Sequence, residues 1–340
     1  MGAAATPLHP DPQEVPSVPG ATPARQWADA LERGRQIARA SLTEYSLPGL
    51  SVAVGAGGEI VWAEGFGWAD LDNRVKVAPG MRFRIGTAST ALTSAAVGLL
   101  LEKGRLKLDD KIQTYVPEFP EKQWPVTLRQ LMGHVAGVRN DGGDEGPLLS
   151  ARCERAVDGL PSFSGSPLLF EPLDMRDTKA GSATDPIPNR ATSYFPRFAA
   201  DPRYGLHLMR PIDYSCYAGS SAFLSTPSDL VRFGLAINSG KLLQPATVQL
   251  LHTPQRLPSG EETGYGLGWD LETVTLAGEQ TRWVGHDGTS LGGMVASLMT
   301  FPGHGIVVSV TSNISHADTE AMALKIAQAF SERGKSPARQ

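Results

Sequence analysis

The chain has 340 residues, 41% hydrophobic and 19% charged, with a formal net charge of −4. That length allows one large domain or two interleaved ones with an ample core. The slightly acidic balance gives no reason to expect nucleic-acid binding, and no apolar run is long enough to cross a bilayer.

The first residues carry neither the basic start nor the apolar core of a signal peptide. Prolines at Pro7, Pro10, Pro12, Pro16 and Pro19 give residues 1–21 the composition of a disordered leader. Thr22 followed by Pro23 reads as a helix start, a hydroxyl cap and then proline at the first helical position. Trp27, Leu31, Ala38 and Leu42 then share roughly one face. Leu50 to Val54 and Ile60 to Phe66 are short apolar runs around Ala56-Gly57-Gly58-Glu59, a hairpin signal.

The middle of the chain changes character. Leu92, Ala95, Ala96, Leu99 and Leu100 recur at helical spacing over Ala91 to Lys103, closed by Gly104. Val126 to Met132 and Ser228 to Asn238 also read as helices, with loops rich in Gly, Pro and Asp between. Strand patterns return in Gly264 to Val274, Gly293 to Phe301 and Ile306 to Thr311. Asp318 to Glu332 is a closing amphipathic helix.

This order predicts an α+β fold, an α/β sandwich. An antiparallel sheet built from residues 22–86 and 264–333 is flanked by terminal helices, with a mostly helical insert over 87–263 and a tail over 334–340. Cys153 and Cys216 have no metal-ligand spacing; they are free or partly buried thiols or a single disulfide. Asp141 to Glu145 is acidic and Gly-rich but lacks EF-hand spacing, so a solvated loop is expected there. No metal and no cofactor is expected.

Several segments are more specific. Arg82-Phe83-Arg84-Ile85-Gly86 leads into the Leu92 helix. Glu102 to Asp110, Tyr115-Val116-Pro117, Thr127 to His134 and Ala136-Gly137-Val138 follow. Then come Gly219 to Phe233, Gly264-Tyr265-Gly266-Leu267-Gly268-Trp269 and Gly285-His286-Asp287-Gly288, with Ser312-Asn313 closing a strand. In that order the chain resembles the serine β-lactamase-related hydrolases: class C β-lactamases, penicillin-binding proteins, D-alanyl-D-alanine carboxypeptidases and family VIII esterases. The resemblance runs from about Leu47 to Phe330.

It implies hydrolysis of an ester, amide or β-lactam through an acyl-enzyme, carried by three motifs. The first is Ser-x-x-Lys at a helix start, where i and i+3 share a face and the lysine takes the serine's proton. Here that stretch reads Thr87-Ala88-Ser89-Thr90. Thr87 keeps a hydroxyl, but Thr90 cannot act as a base near neutral pH. Ser89 has Leu92 three residues on. The second motif is a tyrosine loop, expected after Ser166 to Pro172. The chain passes there directly into Leu173 to Thr178, so the loop reads as missing at Pro172–Leu173. Tyr214-Ser215-Cys216 imitates it too far downstream and reads as structural, as does His134. The third motif is intact as His286-Asp287-Gly288. His286 would hold a substrate carboxylate or assist proton transfer, with Asp287, Gly288 and Thr289 on the substrate-binding strand.

Three functional readings follow. One is a hydrolase with weak or no activity. Another is a non-catalytic relative binding a ligand or peptide in the old cleft or serving as a structural protein; a small-molecule ester, amide or peptide is the substrate expected if the chain is active. The third uses Ser290 in Gly288-Thr289-Ser290-Leu291-Gly292 as a nucleophile elbow, which needs a strand before and a helix after. An internally shortened chain is a further possibility; it would leave apolar surface exposed. By family analogy the compartment is periplasmic or secreted if a signal has been removed, and cytoplasmic otherwise. Oligomeric state is not legible.

Overall fold

The structure is a computed structural model that describes residues 7–20, 24–117, 119, 121–137, 174–180, 187–198, 201–210, 212–214, 217–290 and 293–332. Cys153, Cys216, Asp141 to Glu145 and the Pro172–Leu173 junction lie outside the described residues, as do Thr22 and Pro23.

The two ends of the chain build one sheet. Its strands are β1 (Ser17–Pro19), β2 (Gly49–Ala56), β3 (Glu59–Asp70) and β4 (Val75–Lys76) from the first part. The last part supplies β10 (Asp270–Leu276), β11 (Glu279–Thr289), β12 (Val295–Phe301) and β13 (Ile306–Ser312). The order is β1-β3-β2-β13-β12-β11-β10, with β4 paired to β3 and every pairing antiparallel. The halves join where β2 pairs β13, from Ala56 opposite Ile306 to Leu50 opposite Ser312.

Helices cover both faces, which explains why β2, β12 and β13 read as near-continuous apolar runs. Alternation still sorts the side chains. Val52, Val54, Trp283, Met299, Val308 and Val310 face α1 (Ala28–Glu44) and the closing helix Thr319–Ser331, where Trp62 stacks on Phe330 at 5.9 Å between centroids. Ala53, Val284, Ala296, Leu298 and Val307 face the other way. There they meet α2 (Ser89–Glu102) and the helix Pro227–Asn238, with Phe233 stacked on Trp269 at 5.9 Å. Continuing the chain-order numbering, α3 is Leu128–Met132, α4 Ala218–Ser221, α5 Pro227–Asn238, α6 Pro245–Leu251 and α7 Thr319–Ser331.

The sandwich expected from the sequence is present: an antiparallel sheet with terminal helices on one face. Three details differ. Residues 7–20 are not loose. Ser17–Pro19 pairs with β3, Val15 is buried, and the Gly67 N–H donates to the Pro16 carbonyl at 2.8 Å. An edge strand tolerates proline because one row of its backbone groups needs no partner. Secondly, α1 begins at Ala28 after a 3-10 turn over Arg25–Trp27. Thirdly, the middle carries short strands beside its helices: β6 (Lys179–Ala180) and β9 (Phe223–Ser225) join β5 (Phe83–Arg84), which stands apart from the main sheet, and β7 (Tyr194–Phe198) with β8 (Asp201–Leu208) forms a hairpin.

Candidate active site

Thr87 sits in a 3-10 turn, Gly86–Ala88, that runs directly into α2. This turn is pressed against the end of β11. At Gly288 a side chain is impossible: a Cβ there would collide with the Ile85 carbonyl and the Ala88 amide, and would come within 2.8 Å of the Thr87 amide. The missing side chain is what lets helix start and strand touch. Across that contact the Thr87 hydroxyl donates to the Asp287 carbonyl at 3.3 Å. The turn thus brings Thr87 to the strand that carries His286, Asp287 and Thr289.

The other two hydroxyls of the first motif go elsewhere. Ser89 is fully buried, and its Oγ has no hydrogen-bond partner among the described residues. It points into the core, where no substrate reaches. Thr90 is half-buried and packs its methyl towards the Gly268 backbone. One turn on, Ser94 accepts from the Trp269 indole N–H at 2.9 Å and donates to the Leu267 carbonyl at 2.5 Å. That pair of bonds ties the 264–269 loop to α2. The strand expected over Gly264 to Val274 therefore starts only at Asp270.

The tied loop delivers Tyr265, a residue whose role sequence reasoning missed. Its hydroxyl lies 3.0 Å from His286 Nε2, and its ring stacks on His134 at 4.4 Å between centroids. The available signal was a tyrosine between two glycines just ahead of the strand that pairs with the His286 strand. His134, with a left-handed backbone (φ 58°), covers the far face of Tyr265. Burial pushes the Tyr265 phenol up, and the nearby Asp270 and Asp287 charges push it further. It therefore stays protonated and donates.

The Asp287 carbonyl can only accept, and this assigns the imidazole tautomer. His286 is 7% exposed; Nε2 accepts from Tyr265, so Nδ1 carries the proton and donates to its neighbour's carbonyl, Asp287 O, at 2.5 Å. Asp270 Oδ2 stands 3.6 Å from the same Nδ1. Burial pushes the Asp270 carboxyl up, against the pull of His286. Burial also pulls the His134 imidazole down, helped by His286. The ligand atoms of Asp270, His286 and Asp287 lie within 4.8 Å of one another, the one group of metal-ligating type among the described residues. Asp287 and Thr289 are exposed on the strand edge.

Ser290 does not sit on a nucleophile elbow. It follows β11, the next described element is the strand β12, and its buried Oγ accepts from the Met294 amide at 3.2 Å. An elbow needs an exposed hydroxyl and a helix after it. Tyr214 is buried, with the Arg84 guanidinium 4.3 Å above its ring.

Comparison with known proteins bears on this geometry. The "Beta-lactamase" family model matches residues 34–158 and 167–331. The serine β-lactamase-like protein LACTB, mitochondrial, of Homo sapiens is 26% identical, over 93% of this chain and 82% of its own length. That match spans 455 positions, so more than one hundred of them face no residue of this chain. A putative penicillin-binding protein, PbpX, of Bacillus subtilis is 24% identical over 70% of this chain and 66% of its own. Among solved structures, FmtA from Staphylococcus aureus superposes with a TM-score of 0.70 at 18% identity, covering 94% of each chain. D-amino acid amidase from Ochrobactrum anthropi does so with 0.68 at 21% identity, over 89% of this chain and 97% of its own.

Proposed function

The chain belongs to the β-lactamase family, and we propose from that premise that it is a catalytically degenerate member. It binds a small amide, peptide or ester beside Thr87 and the end of β11 and turns it over weakly or not at all. One observation carries this reading. The Thr87 hydroxyl has a backbone carbonyl as its partner, and no side-chain base among the described residues hydrogen-bonds it. A hydroxyl without a base is a poor nucleophile, and nucleophile and base act as a unit.

Other features support it. Thr90 offers no amine, and Ser89 is buried. His286 has both ring nitrogens engaged, so it orients the strand edge rather than presenting a free nitrogen to Thr87 or to a substrate carboxylate. A missing tyrosine loop accords with the longer relative, whose match to this chain spans 455 positions. The exposed side chains of Asp287 and Thr289 are available to a ligand. An amide or peptide ligand accords with the D-amino acid amidase of like fold.

A specific observation favours residual catalysis as the second reading: Thr87 is exposed at the start of α2, beside the strand that carries His286. One experiment separates the two. The protein is incubated with a fluorophosphonate probe, and nitrophenyl-ester and chromogenic cephalosporin hydrolysis are measured beside calorimetric titration with D-phenylalanine amide. Saturable binding without labelling or turnover is expected. Labelling at Thr87, with turnover abolished in Thr87→Ala, would sink the degenerate reading. Turnover lost only in Ser290→Ala would point to that serine instead.

A further inference from the structure

At the base of the β7–β8 hairpin lies a second cavity, of about 330 Å³. Its walls come from β5, from the chain entering β7 and leaving β8, and from the start of β12. Arg84, Arg190, Ser193, Leu208, Arg210 and Tyr214 all line it.

Its charge is one-sided. Arg190 is half-buried, and among the described residues its guanidinium has no carboxylate or hydrogen-bond partner. Burial pulls its pKa down, opposed only by Tyr214. Arg210 at the rim is likewise without an ion pair among the described residues. Ser193 adds a buried hydroxyl with no hydrogen-bond partner there. Several other arginines are paired within the chain. Arg82, two residues before Arg84 and also buried, is held by the Asp177 carboxylate and the Pro188 carbonyl. Arg35 pairs with Glu64, Arg129 with Asp109 and Arg232 with Asp229. A guanidinium withdrawn from water without a counter-ion costs stability unless something outside the chain pairs with it.

The other half of the cavity is apolar. Leu208 is 64% exposed at its mouth, and Met209, Ile212 and Met294 lie behind it. A few fixed donors beside an apolar wall are the makings of a small-molecule site. Arg84 adds rigidity, its guanidinium held over the Tyr214 ring.

We propose that this cavity binds an oxyanion, a carboxylate or a phosphate, that carries an apolar group. Arg190 and Arg210 pair with the charged oxygens in charge-assisted hydrogen bonds, Ser193 donates to one of them, and Leu208 covers the apolar group. The site stands independently of whether Thr87 is reactive.

Isothermal titration calorimetry at fixed ionic strength tests it, using hexanoate, hexyl phosphate, inorganic phosphate and hexanol. One-to-one saturable binding is expected for hexanoate or hexyl phosphate, weakening as salt is raised, with hexanol silent. Binding of hexyl phosphate but not hexanoate assigns a phosphate ligand, and the reverse assigns a carboxylate. Arg190→Gln should weaken binding about tenfold or more. Arg256→Gln, which removes an exposed arginine paired with Glu262, should leave it unchanged. Should Arg190→Gln fail to fold, the exposed Arg210→Gln carries the test. Absence of saturable heat with either anion, or equal affinity in wild type and these variants, overturns the proposal.

Discussion

The hydroxyl of Thr87 and the imidazole of His286 meet at one backbone carbonyl, that of Asp287, at 3.3 Å and 2.5 Å. Each spends its proton on the same acceptor, so neither activates the other. This arrangement depends on Tyr265, whose hydroxyl occupies Nε2 and leaves the proton on Nδ1. Nitrogen-detected NMR at pH 8 should show His286 as the Nδ1–H tautomer. Tyr265→Phe should let the Nε2–H form appear, because Nε2 then lacks its donor. A wild-type protein that is Nε2–H would refute the assignment.

The loss of chemistry proposed for residues 87–90 is tested by partial restoration. Thr87→Ser with Thr90→Lys rebuilds an i, i+3 pair at the mouth of α2, where Thr87 is exposed and Thr90 half-exposed. The double variant should react with a fluorophosphonate at the introduced serine at least tenfold faster than either single variant. Thr87→Ala alone should leave stability within about 0.5 kcal/mol, since its side chain is exposed. Equal labelling of wild type and double variant would show that the missing base is not the limiting defect.

How far the sequence reached depended on what kind of signal each part carries. The helices at Leu92 and Leu230 and the apolar strands β2, β12 and β13 were legible because burial imprints a pattern on consecutive residues. Gly288 stood out through its motif as a substrate-binding residue, whereas the close approach seen at it is that of the Gly86–Ala88 turn. Tyr265 was not legible, because its partners His134 and His286 lie more than twenty residues away in sequence and meet only through the loop tied by Ser94. The docking of Val15 was hidden by prolines, whose composition speaks for disorder while an edge strand accepts them. The Arg190 cavity has no local pattern at all. Its lining comes from four separate segments of the chain.

The docked N-terminal segment should matter for stability. Deleting residues 1–20 uncovers the β3 edge and strips the Gly67 amide and the Ala63 carbonyl of their partners at Pro16 and Gly20. It also removes buried Val15 and His9 from their contacts. Burying a valine side chain is worth about 1.5–3 kcal/mol and each lost net hydrogen bond about 1 kcal/mol. Urea unfolding should show a loss of roughly 3 kcal/mol or more, with faster amide exchange at Gly67. An unchanged midpoint would mean the segment is not docked in solution.

His252 gives the sharpest pH dependence. Its imidazole lies edge-on to Trp269, 4.7 Å between centroids, and its Nε2 is buried without a hydrogen-bond partner among the described residues. Burial pulls its pKa from 6.5 to about 4. The folded state therefore binds the proton less readily than the unfolded chain. The stability held by neutral His252 is complete above pH 6.5 and is lost as pH falls through the window down to about 4. At 1.36 kcal/mol per unit the loss is about 3 kcal/mol at most. His252→Phe removes the titrating group while keeping an aromatic ring against Trp269. Urea unfolding of both proteins at pH 7.5, 6, 5 and 4 should show the wild type falling relative to the variant across that window. The carboxylates common to both cancel in the difference. Parallel curves would mean that His252 is hydrated or protonated in the folded protein.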